Sequence, residues 1–349
     1  MPQVSEGDIR EFSIKVLIAS GQAEPDARAV ADGLIAATKR GVTTHGVFRL
    51  PQYCRSLSNG RINARPNVSV IRQHGVTALV NADGGYGFRP SMMAMDLAIK
   101  VAREHGVAMV GVRNSHHFGA AAIYTEHAAQ AGLIGISTTT TTSNIAPIGG
   151  VAAVLGNNPI SIAVPRQKPN KPLVLDMAMS QVAKGRVRVA AANGEAIPEG
   201  WGYDAEGQVT TDPNAIMAGG FLAAVGAHKG AGLSVMTDVL AGILTGSPFG
   251  PEADNHSHPQ GGVGHFHLAI APDFMRDMDD YYRDIEKLVH QIKTTPLAKG
   301  ATEIFLPGEI EAAKSARADK EGLTVSNDLI GQLEELARKT GVSAPAWIR

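Results

Sequence analysis

The sequence predicts an α/β fold in which helices alternate with buried strands. Two patterns indicate it: apolar residues that recur at helical spacing, and short β-branched runs bounded by glycine or proline. The composition agrees, because 39 glycines, 19 prolines and 5% aromatic residues in 349 residues are typical of an α/β protein with many tight turns. Because one core stops growing at roughly 250 to 300 residues, two closely packed lobes are expected.

The helical pattern is clearest near the two ends of the chain. Apolar spacing predicts two N-terminal helices, over 9–17 and, after Pro25, over 27–35. Gly106 follows a third stripe and is placed to end that helix as a left-handed cap. That third helix is predicted over about 95–102. Further helices are predicted over about 120–130, 228–243, 274–292 and 327–339.

Buried strands are predicted where valine, isoleucine and threonine cluster. The first run ends at the polar loop 113–119, and the last delivers Asp176 at its carboxyl end. A strand followed by a polar loop and a helix is where α/β proteins usually place functional groups. Five consecutive threonines, Thr141 among them, form a strand edge whose far end could line a polar pocket. The runs are 107–112, 133–142, 160–164 and 173–176.

The charge pattern argues against nucleic-acid and membrane partners. Lys+Arg 32 against Asp+Glu 33 gives a formal net charge of -1, with no basic block. The best apolar run, 233–244, contains Asp238 and is too short to span a bilayer. The one cysteine, Cys54, cannot form an internal disulfide, and the polar N-terminus lacks the zones of a signal peptide. A cytoplasmic protein is expected.

Several catalytic motifs are missing. The sequence contains no Gly-x-Gly-x-x-Gly, Walker A, Gly-x-Ser-x-Gly, His-Glu-x-x-His or paired Cys-x-x-Cys pattern. Histidine pairs at 116/117, 256/258 and 265/267 leave a metal-dependent hydrolase or lyase as an alternative, although no third ligand is evident. We expect no metal, and we expect His265 to be a half-buried strand residue.

The segment 43–49 combines groups that could reduce an anionic carbonyl compound. His45 can donate and accept a proton near neutrality, and Thr44 offers a neighbouring hydroxyl. Arg49 keeps its charge and has a planar fork suited to a carboxylate. If the segment is helical, His45 and Arg49 lie on one face about one turn apart. A solvated surface pair is the alternative interpretation.

A second candidate site begins the predicted helix at 228. Lys229 lies among glycines that let backbone N–H groups approach a ligand closely. Because the amino end of a helix attracts negative charge, this segment could hold an anion.

These motifs, taken together, resemble a known family. The chain is similar to the malate/lactate/ureidoglycolate/ketogulonate dehydrogenases, which include sulfolactate dehydrogenases and cyclic imino acid reductases. The similarity runs in order and spacing through most of the chain. It is carried by Thr-His-Gly-Val-Phe-Arg-Leu at 44–50, Asn-Ser-His-His-Phe-Gly at 114–119, Leu-Gly-Asn-Asn-Pro at 155–159, Asp-Met-Ala-Met-Ser at 176–180, His-Lys-Gly at 228–230 and Leu-Pro-Gly-Glu at 306–309.

The resemblance implies a mixed-sheet α/β fold of the sulfolactate dehydrogenase type rather than a Rossmann sheet. The missing glycine fingerprint is then expected. Helical N-terminal and C-terminal segments would pack together as a substrate lobe, formed by 1–112 and 270–349. A central lobe, 113–269, would bind the nicotinamide cofactor.

The resemblance also implies roles for the polar residues. His45 would be the general acid, oriented by Thr44, where the family usually has serine, and by Asp176. Other family members give the acid role to the histidine that matches His117, so both histidines stay candidates.

The same resemblance assigns the ligand-binding positions. Arg49 would bind the substrate carboxylate, and Tyr53 would hydrogen-bond the same ligand. The cofactor would be held by His117, Phe118, Gly119, Thr141, Asp176, Met177, Ala178, Met179, Ser180, His228, Lys229, Pro307, Gly308 and Glu309.

The implied function is hydride transfer between NAD or NADP and a small 2-oxo or 2-hydroxy acid. Reduction of cyclic imino acids is the close alternative. Family members are typically homodimers, so a homodimer is expected here.

Overall fold

The computed structural model describes residues 2–254 and 260–348, and in these it has eleven α-helices and three sheets. The helices are α1 (Glu6–Ala19), α2 (Glu24–Lys39), α3 (Leu50–Ser58), α4 (Phe88–His105), α5 (Ala122–Gln130), α6 (Lys184–Asn193), α7 (Pro213–Met217), α8 (His228–Thr237), α9 (Met278–Lys293), α10 (Glu309–Glu321) and α11 (Asn327–Thr340). The strands are β1 (Gln3–Val4), β2 (Ser69–His74), β3 (Thr77–Asn81), β4 (Val107–Ser115), β5 (Ile134–Thr139), β6 (Ser143–Ile145), β7 (Leu155–Gly156), β8 (Ile160–Val164), β9 (Leu173–Met177), β10 (Gly202–Tyr203), β11 (Phe221–Leu222), β12 (Val263–Ile270) and β13 (Leu323–Thr324).

The central sheet has seven strands in the order β2-β3-β4-β12-β5-β8-β9. Only β3 and β4 are parallel neighbours, and every other pair is antiparallel. A doubly wound sheet would instead be mostly parallel with helical crossovers. The expected mixed-sheet fold is therefore confirmed.

Helices cover both faces of this sheet. Helices α4 and α5 lie on the face that carries His267, whose ring contacts Tyr124 of α5. Gly111 and Gly264 face the other way, toward the segment Ala241–Thr245, and an added Cβ at Gly264 would lie 1.9 Å from the Ala241 oxygen. Glycine at 264 lets the helical segment approach the sheet closely.

The two ends of the chain form one helical body, as expected. Strand β1 pairs with β13, and α1, α2, α3 and α11 share a core in which Ile9, Leu17, Leu34 and Leu333 are fully buried. Ser5 begins α1, because its hydroxyl accepts a hydrogen bond from the Asp8 amide at 3.0 Å. Because burial of such aliphatic side chains contributes roughly 1.5–3 kcal/mol each, this core joins the termini firmly.

A smaller sheet, in the order β10-β11-β6-β7, packs with α6, α7 and α8 around a separate core. The structure describes no helix long and apolar enough to cross a membrane within residues 2–254 and 260–348.

Most element predictions agree with the structure, with three instructive differences. The strand predicted over 133–142 ends at Thr139, and the predicted helix from 228 changes at Asp238 from α to π geometry. The helix predicted from 274 begins at Met278, where Asp277 supplies the cap. The predicted lobe boundary after residue 112 falls within β4; the division into lobes stays a prediction.

Candidate active site

The segment that carries His45 is helical only in two short 3-10 turns and not over its whole length. It forms two 3-10 turns, Thr43–His45 and Val47–Arg49, separated by an extended Gly46. A Cβ at Gly46 would lie 2.3 Å from the hydroxyl oxygen of Thr38. Only glycine fits at this break, and the two turns still bring residues 45 and 49 together.

His45 lies half-buried beside a hydroxyl group, as predicted. Its Nδ1 is 3.0 Å from the Thr44 Oγ1, and either atom can be the donor. Burial and the nearby charge of Arg49 lower the pKa of His45 to about 4. The ring is therefore neutral at neutral pH, and it can exist in either tautomer because the Thr44 hydroxyl can donate or accept.

His117 is held much more rigidly. Its Nδ1 accepts hydrogen bonds from the Gly119 amide at 3.2 Å and from the Tyr53 hydroxyl at 2.6 Å. An amide can only donate, so the proton of a neutral His117 ring lies on Nε2. The Gly87 amide also donates to the His117 carbonyl oxygen at 3.1 Å, which fixes the backbone of the loop.

The two candidate acids lie next to each other. The rings of His45 and His117 stack with centroids 5.3 Å apart and an angle of 22° between planes. Residues 72 positions apart thus form one pair, which indicates that the two motifs contribute to one site.

Arg49 lies beside this pair without a carboxylate partner. Its Nε donates to the Thr44 carbonyl oxygen at 2.7 Å, and its Nη1 donates to Gln52 Oε1 at 3.0 Å. Among the described residues no acidic group pairs with it. A half-buried guanidinium that is held in place yet not neutralised is suited to an anionic ligand.

Tyr53 does not lie where the sequence placed it. Its side chain is 0% exposed, its hydroxyl is bound to His117, and its ring packs on Tyr86 with centroids 4.5 Å apart. Burial raises the pKa of Tyr53 above its usual value, so the hydroxyl stays protonated and donates to His117. In this structure Tyr53 positions His117 rather than facing a ligand.

Asp176 is likewise not the partner of His45. Its Oδ2 accepts from the Ala122 amide at 3.1 Å, at the start of α5, and no described hydrogen bond joins it to His45. The side chain is accessible to solvent but lies deep among protein atoms, which raises the pKa of its carboxyl to about 6. The expected His45–Asp176 relay is therefore corrected to a His45–Thr44 pair.

The loop 307–309 lies against the strand that delivers Asp176. The Val174 amide of β9 donates to the Pro307 carbonyl oxygen at 3.0 Å, and a Cβ at Gly308 would lie 2.9 Å from the Val174 Cβ. Gly308 has a φ of +85° and precedes α10. Glu309 pairs with Lys293 at 2.6 Å, which lowers the pKa of its carboxyl.

The start of α8 lies against the same segment. The Val225 amide donates to the Met179 carbonyl oxygen at 2.8 Å, and a Cβ at Gly230 would lie 2.9 Å from that oxygen. His228 and Lys229 are exposed in the first turn of α8, which has no acidic residue. The structure thus places residues 307–309 against Val174 and the start of α8 against Met179, on the two sides of Met177 and Ala178 in the sequence, which are half-buried.

The side chains of three predicted cofactor residues contact other residues of the protein. Each is buried, and each already has a partner. Phe118 stacks on His265 at 4.5 Å, the Thr141 hydroxyl donates to Asn157 at 2.9 Å, and the Ser180 hydroxyl donates to the Val182 carbonyl oxygen at 2.8 Å.

The other histidine pairs form no metal centre in the described part of the chain. His265 and His267 share a strand face, and both are 0% exposed rather than half-buried. They bond to hydroxyls, His265 to Thr139 and Ser115 and His267 to Ser137, each at 2.7 Å. Residues 2–254 and 260–348 contain no cluster of three possible ligands, and His256 and His258 lie outside the described residues.

A mixed sheet flanked by helices, a stacked imidazole pair and a nearby arginine without an acidic partner among the described residues fit an oxidoreductase that lacks a Rossmann sheet. Comparison with known proteins identifies the family. The sequence profile of the malate/L-lactate dehydrogenase family matches residues 4–334, and the chain belongs to this family of dehydrogenases and reductases.

Three relatives illustrate the range of that family. The chain is 36% identical over 347 residues to a malate dehydrogenase of Pyrococcus abyssi, covering 97% of this chain and 95% of that protein. It is 35% identical to a Delta(1)-pyrroline-2-carboxylate/Delta(1)-piperideine-2-carboxylate reductase of Pseudomonas putida, covering 90% and 91%. The solved sulfolactate dehydrogenase of Methanocaldococcus jannaschii superposes with a TM-score of 0.90 at 34% identity, covering 98% of each chain.

Proposed function

We propose that the protein transfers a hydride between a nicotinamide cofactor and a small 2-oxo or 2-hydroxy acid. The observation that carries the proposal is the His45–His117 stack beside Arg49, which has no acidic partner among residues 2–254 and 260–348. Dehydrogenases of this family are nicotinamide-dependent, and the choice between NAD and NADP stays open.

Arg49 binds the substrate carboxylate. Its Nε and Nη1 are already held by Thr44 and Gln52, so the guanidinium loses little freedom when a ligand binds. Fixing the carboxylate also fixes the neighbouring 2-oxo carbon, which removes orientational freedom before hydride transfer.

The two histidines then divide the work at the substrate oxygen. His117 keeps its proton on Nε2, because Gly119 and Tyr53 both donate to Nδ1, so it acts as a fixed hydrogen-bond donor. His45 is neutral in the free protein, and the Thr44 hydroxyl can bond to either protonation state of the ring. It can therefore accept the proton that a 2-hydroxy acid loses on oxidation, and in the reverse direction it takes up a proton from water and gives it to the substrate oxygen. The positive charge of Arg49 helps to lower the pKa of His45, and a substrate carboxylate bound to Arg49 offsets that charge.

The segments 176–180, 228–230 and 307–309 suit a dinucleotide. Glycines at 230 and 308 let these segments pack closely on Met179 and Val174 of the protein itself. Lys229, in a first turn without acidic residues, attracts a diphosphate. Asp176 and Glu309 add hydrogen-bond acceptors for sugar hydroxyls. When bound, the nicotinamide supplies or accepts the hydride.

A second copy of the chain covers an apolar surface of α8 and the turn that follows it. Leu233, Met236, Leu240, Ile243 and Leu244 recur at helical spacing and are 38–58% exposed. Exposed apolar side chains in such a row are typical of a subunit interface. We therefore propose a homodimer, and a cytoplasmic location.

Reduction of cyclic imino acids is the second candidate, because the Pseudomonas putida relative is named for it and the same cleft could protonate an imine nitrogen. One screen tests both. The purified protein is mixed with NADH or NADPH and a panel of 2-oxo acids and cyclic imino acids, and absorbance of the reduced nicotinamide is followed. Consumption with 2-oxo acids supports the proposal; consumption with cyclic imines alone favours the second candidate, and none with either class contradicts both.

A further inference from the structure

One residue of α3 holds the arginine of the candidate site. Arg49 Nη1 donates to Gln52 Oε1 at 3.0 Å, and Arg49 Nε donates to the Thr44 carbonyl oxygen at 2.7 Å. Among residues 2–254 and 260–348, these are the hydrogen bonds of the guanidinium, so Nη2 and the second hydrogen of Nη1 can bond to a ligand carboxylate. Both acceptors are neutral, and only that of Gln52 belongs to a side chain.

The Arg49–Gln52 pair differs from the other cation pairs at short helical spacing. Elsewhere in the described part of the chain, each helical lysine or arginine that bonds to a side chain three or four residues away bonds to a carboxylate. Arg49 bonds to an amide instead. The carboxylate pairs are Lys15 with Glu11, Arg28 with Glu24, Arg283 with Asp280, Arg317 with Glu321 and Lys339 with Glu335.

Local helix physics would favour glutamate at position 52. Gln52 is the third residue of α3, and the first turn of this helix contains no acidic residue. A negative side chain in a first turn is stabilised by the helix dipole, and a glutamate here would also pair with Arg49. Glutamate has nearly the same shape as glutamine and differs in its charge. The neutral amide therefore forgoes some helix stability, and it leaves the charge of Arg49 without an offsetting partner.

The charge of Arg49 also acts on the neighbouring histidine. Burial and, second, the charge of Arg49 lower the pKa of His45 to about 4. A carboxylate at position 52 would offset this charge in the same way as a substrate carboxylate bound to Arg49. It would therefore compete with the substrate for the guanidinium.

We propose that Gln52 is a positioning residue for the substrate carboxylate. It fixes the Arg49 guanidinium through a neutral oxygen, so that the positive charge of Arg49 remains available to the ligand. This inference rests on the proposed function and adds to it a residue on which the affinity for anionic substrates depends.

The kinetic test compares Gln52→Glu and Gln52→Met with Gln291→Glu, a control that makes the same charge change at an exposed position of α9. Gln52→Glu should raise the KM for the 2-oxo acid about tenfold or more, because the new carboxylate bonds to Arg49. Gln52→Met removes only the acceptor, so this KM should rise about fivefold. The KM for the cofactor and the kcat at saturating substrate should stay near wild type in both variants, and Gln291→Glu should change none of these values.

NMR titration of His45 in the free protein gives a readout that a loss of packing would not produce. Gln52→Glu should raise the pKa of His45 by about half a unit or more, because a carboxylate offsets the charge of Arg49. Gln52→Met and Gln291→Glu should leave this pKa near the wild-type value. Calorimetry with oxamate and oxidised cofactor should show weaker binding of oxamate to Gln52→Glu without any turnover.

An unchanged KM for the 2-oxo acid in Gln52→Glu, or a change that Gln291→Glu reproduces, would overturn the inference. An unchanged pKa of His45 in Gln52→Glu would also overturn it. Should this variant fail to fold, Gln52→Met decides: a raised KM supports the inference, and an unchanged KM overturns it. A wild type that reduces no 2-oxo acid would reject the proposed function, whereas the titration of His45 would still decide whether residue 52 sets the charge around Arg49.

Discussion

Two histidine pairs in this molecule have similar chemistry and different surroundings. The rings of His45 and His117 stack beside Arg49, whereas the ring centroids of His265 and His267 lie 6.4 Å apart in the core of the central sheet. Both pairs are held by hydroxyl groups. Burial lowers the pKa of His45 to about 4 and that of His267 to about 3.

A low pKa therefore does not distinguish a reactive histidine from a structural one. The difference lies in access and in charge: His45 is half-buried beside Arg49, whereas His267 is 0% exposed and bonds to Ser137. Substitutions should therefore have different effects in the two pairs. Changes at His45 and His117 should reduce activity, and changes at His265 and His267 should reduce stability.

The largest effect is expected at the cleft. His45→Ala removes the proton donor, so kcat should fall by roughly a hundredfold to ten-thousandfold. Cofactor binding, followed by fluorescence of the reduced nicotinamide, should be retained. Near-normal turnover in this variant would move the acid role to His117.

The matching change in the sheet should act on stability. His267→Ala removes a fully buried ring and leaves the Ser137 hydroxyl without its partner, so the free energy of unfolding should fall by about 2–4 kcal/mol. Denaturant unfolding measures the loss, and kcat per folded molecule should stay near wild type. A large fall in kcat with unchanged stability would erase the contrast between the pairs.

Arg49→Lys should weaken substrate capture. One ammonium cannot reproduce the fork that is held by Thr44 and Gln52, so the apparent KM for the 2-oxo acid should rise about tenfold. Steady-state kinetics measures the change, and an unchanged KM would refute the carboxylate assignment.

Tyr53→Phe tests how firmly His117 must be held. The variant removes the 2.6 Å hydrogen bond and leaves Gly119 as the donor to Nδ1, so kcat should fall by roughly tenfold. Tyr86→Phe is the matched control, because the Tyr86 hydroxyl donates to a backbone oxygen and not to a histidine. Equal effects of the two variants would assign Tyr53 to packing alone.

The smallest effect per step of the variable that is changed is a pH dependence of stability. Unfolded histidine has a pKa of about 6.5, so between about pH 6.5 and 3 the unfolded chain binds a proton that folded His267 does not. The free energy of unfolding should therefore fall as pH falls, by about 1.4 kcal/mol per pH unit for this group. The raised pKa of Asp176 acts in the opposite direction between about pH 4 and 6.

A variant isolates the contribution of His267. His267→Asn keeps an amide near the position of Nδ1 and cannot be protonated, so it should lose this slope. Subtracting the free energy of unfolding of the variant from that of wild type at each pH cancels the contribution of Asp176, because both proteins contain it. Parallel curves for the two proteins would contradict the assignment.

The sequence predicted the fold class and most elements, and it named His45, His117 and Arg49, whose roles stay predictions. Apolar periodicity reports which side chains are buried, so β8 was predicted correctly over 160–164. Resemblance supplied the mixed sheet and the cofactor segments. The role of Arg49 as the carboxylate ligand stays a prediction.

The predictions that failed concerned residues whose partners lie far away in the sequence. Nothing near Tyr53 in sequence indicates that its hydroxyl bonds to His117. Nothing near Asp176 indicates that its carboxylate accepts a hydrogen bond from the Ala122 amide. Local pattern carries no information on such pairings.

We propose that one ligand binds Arg49 through its carboxylate and exchanges a proton with His45. Titration of His45 by NMR, with and without the unreactive 2-oxo acid analogue oxamate, tests this claim most directly. We predict a pKa near 4 in the free protein and a rise of about one unit or more with oxamate and oxidised cofactor. An unchanged titration of His45 with the analogue bound would contradict the account.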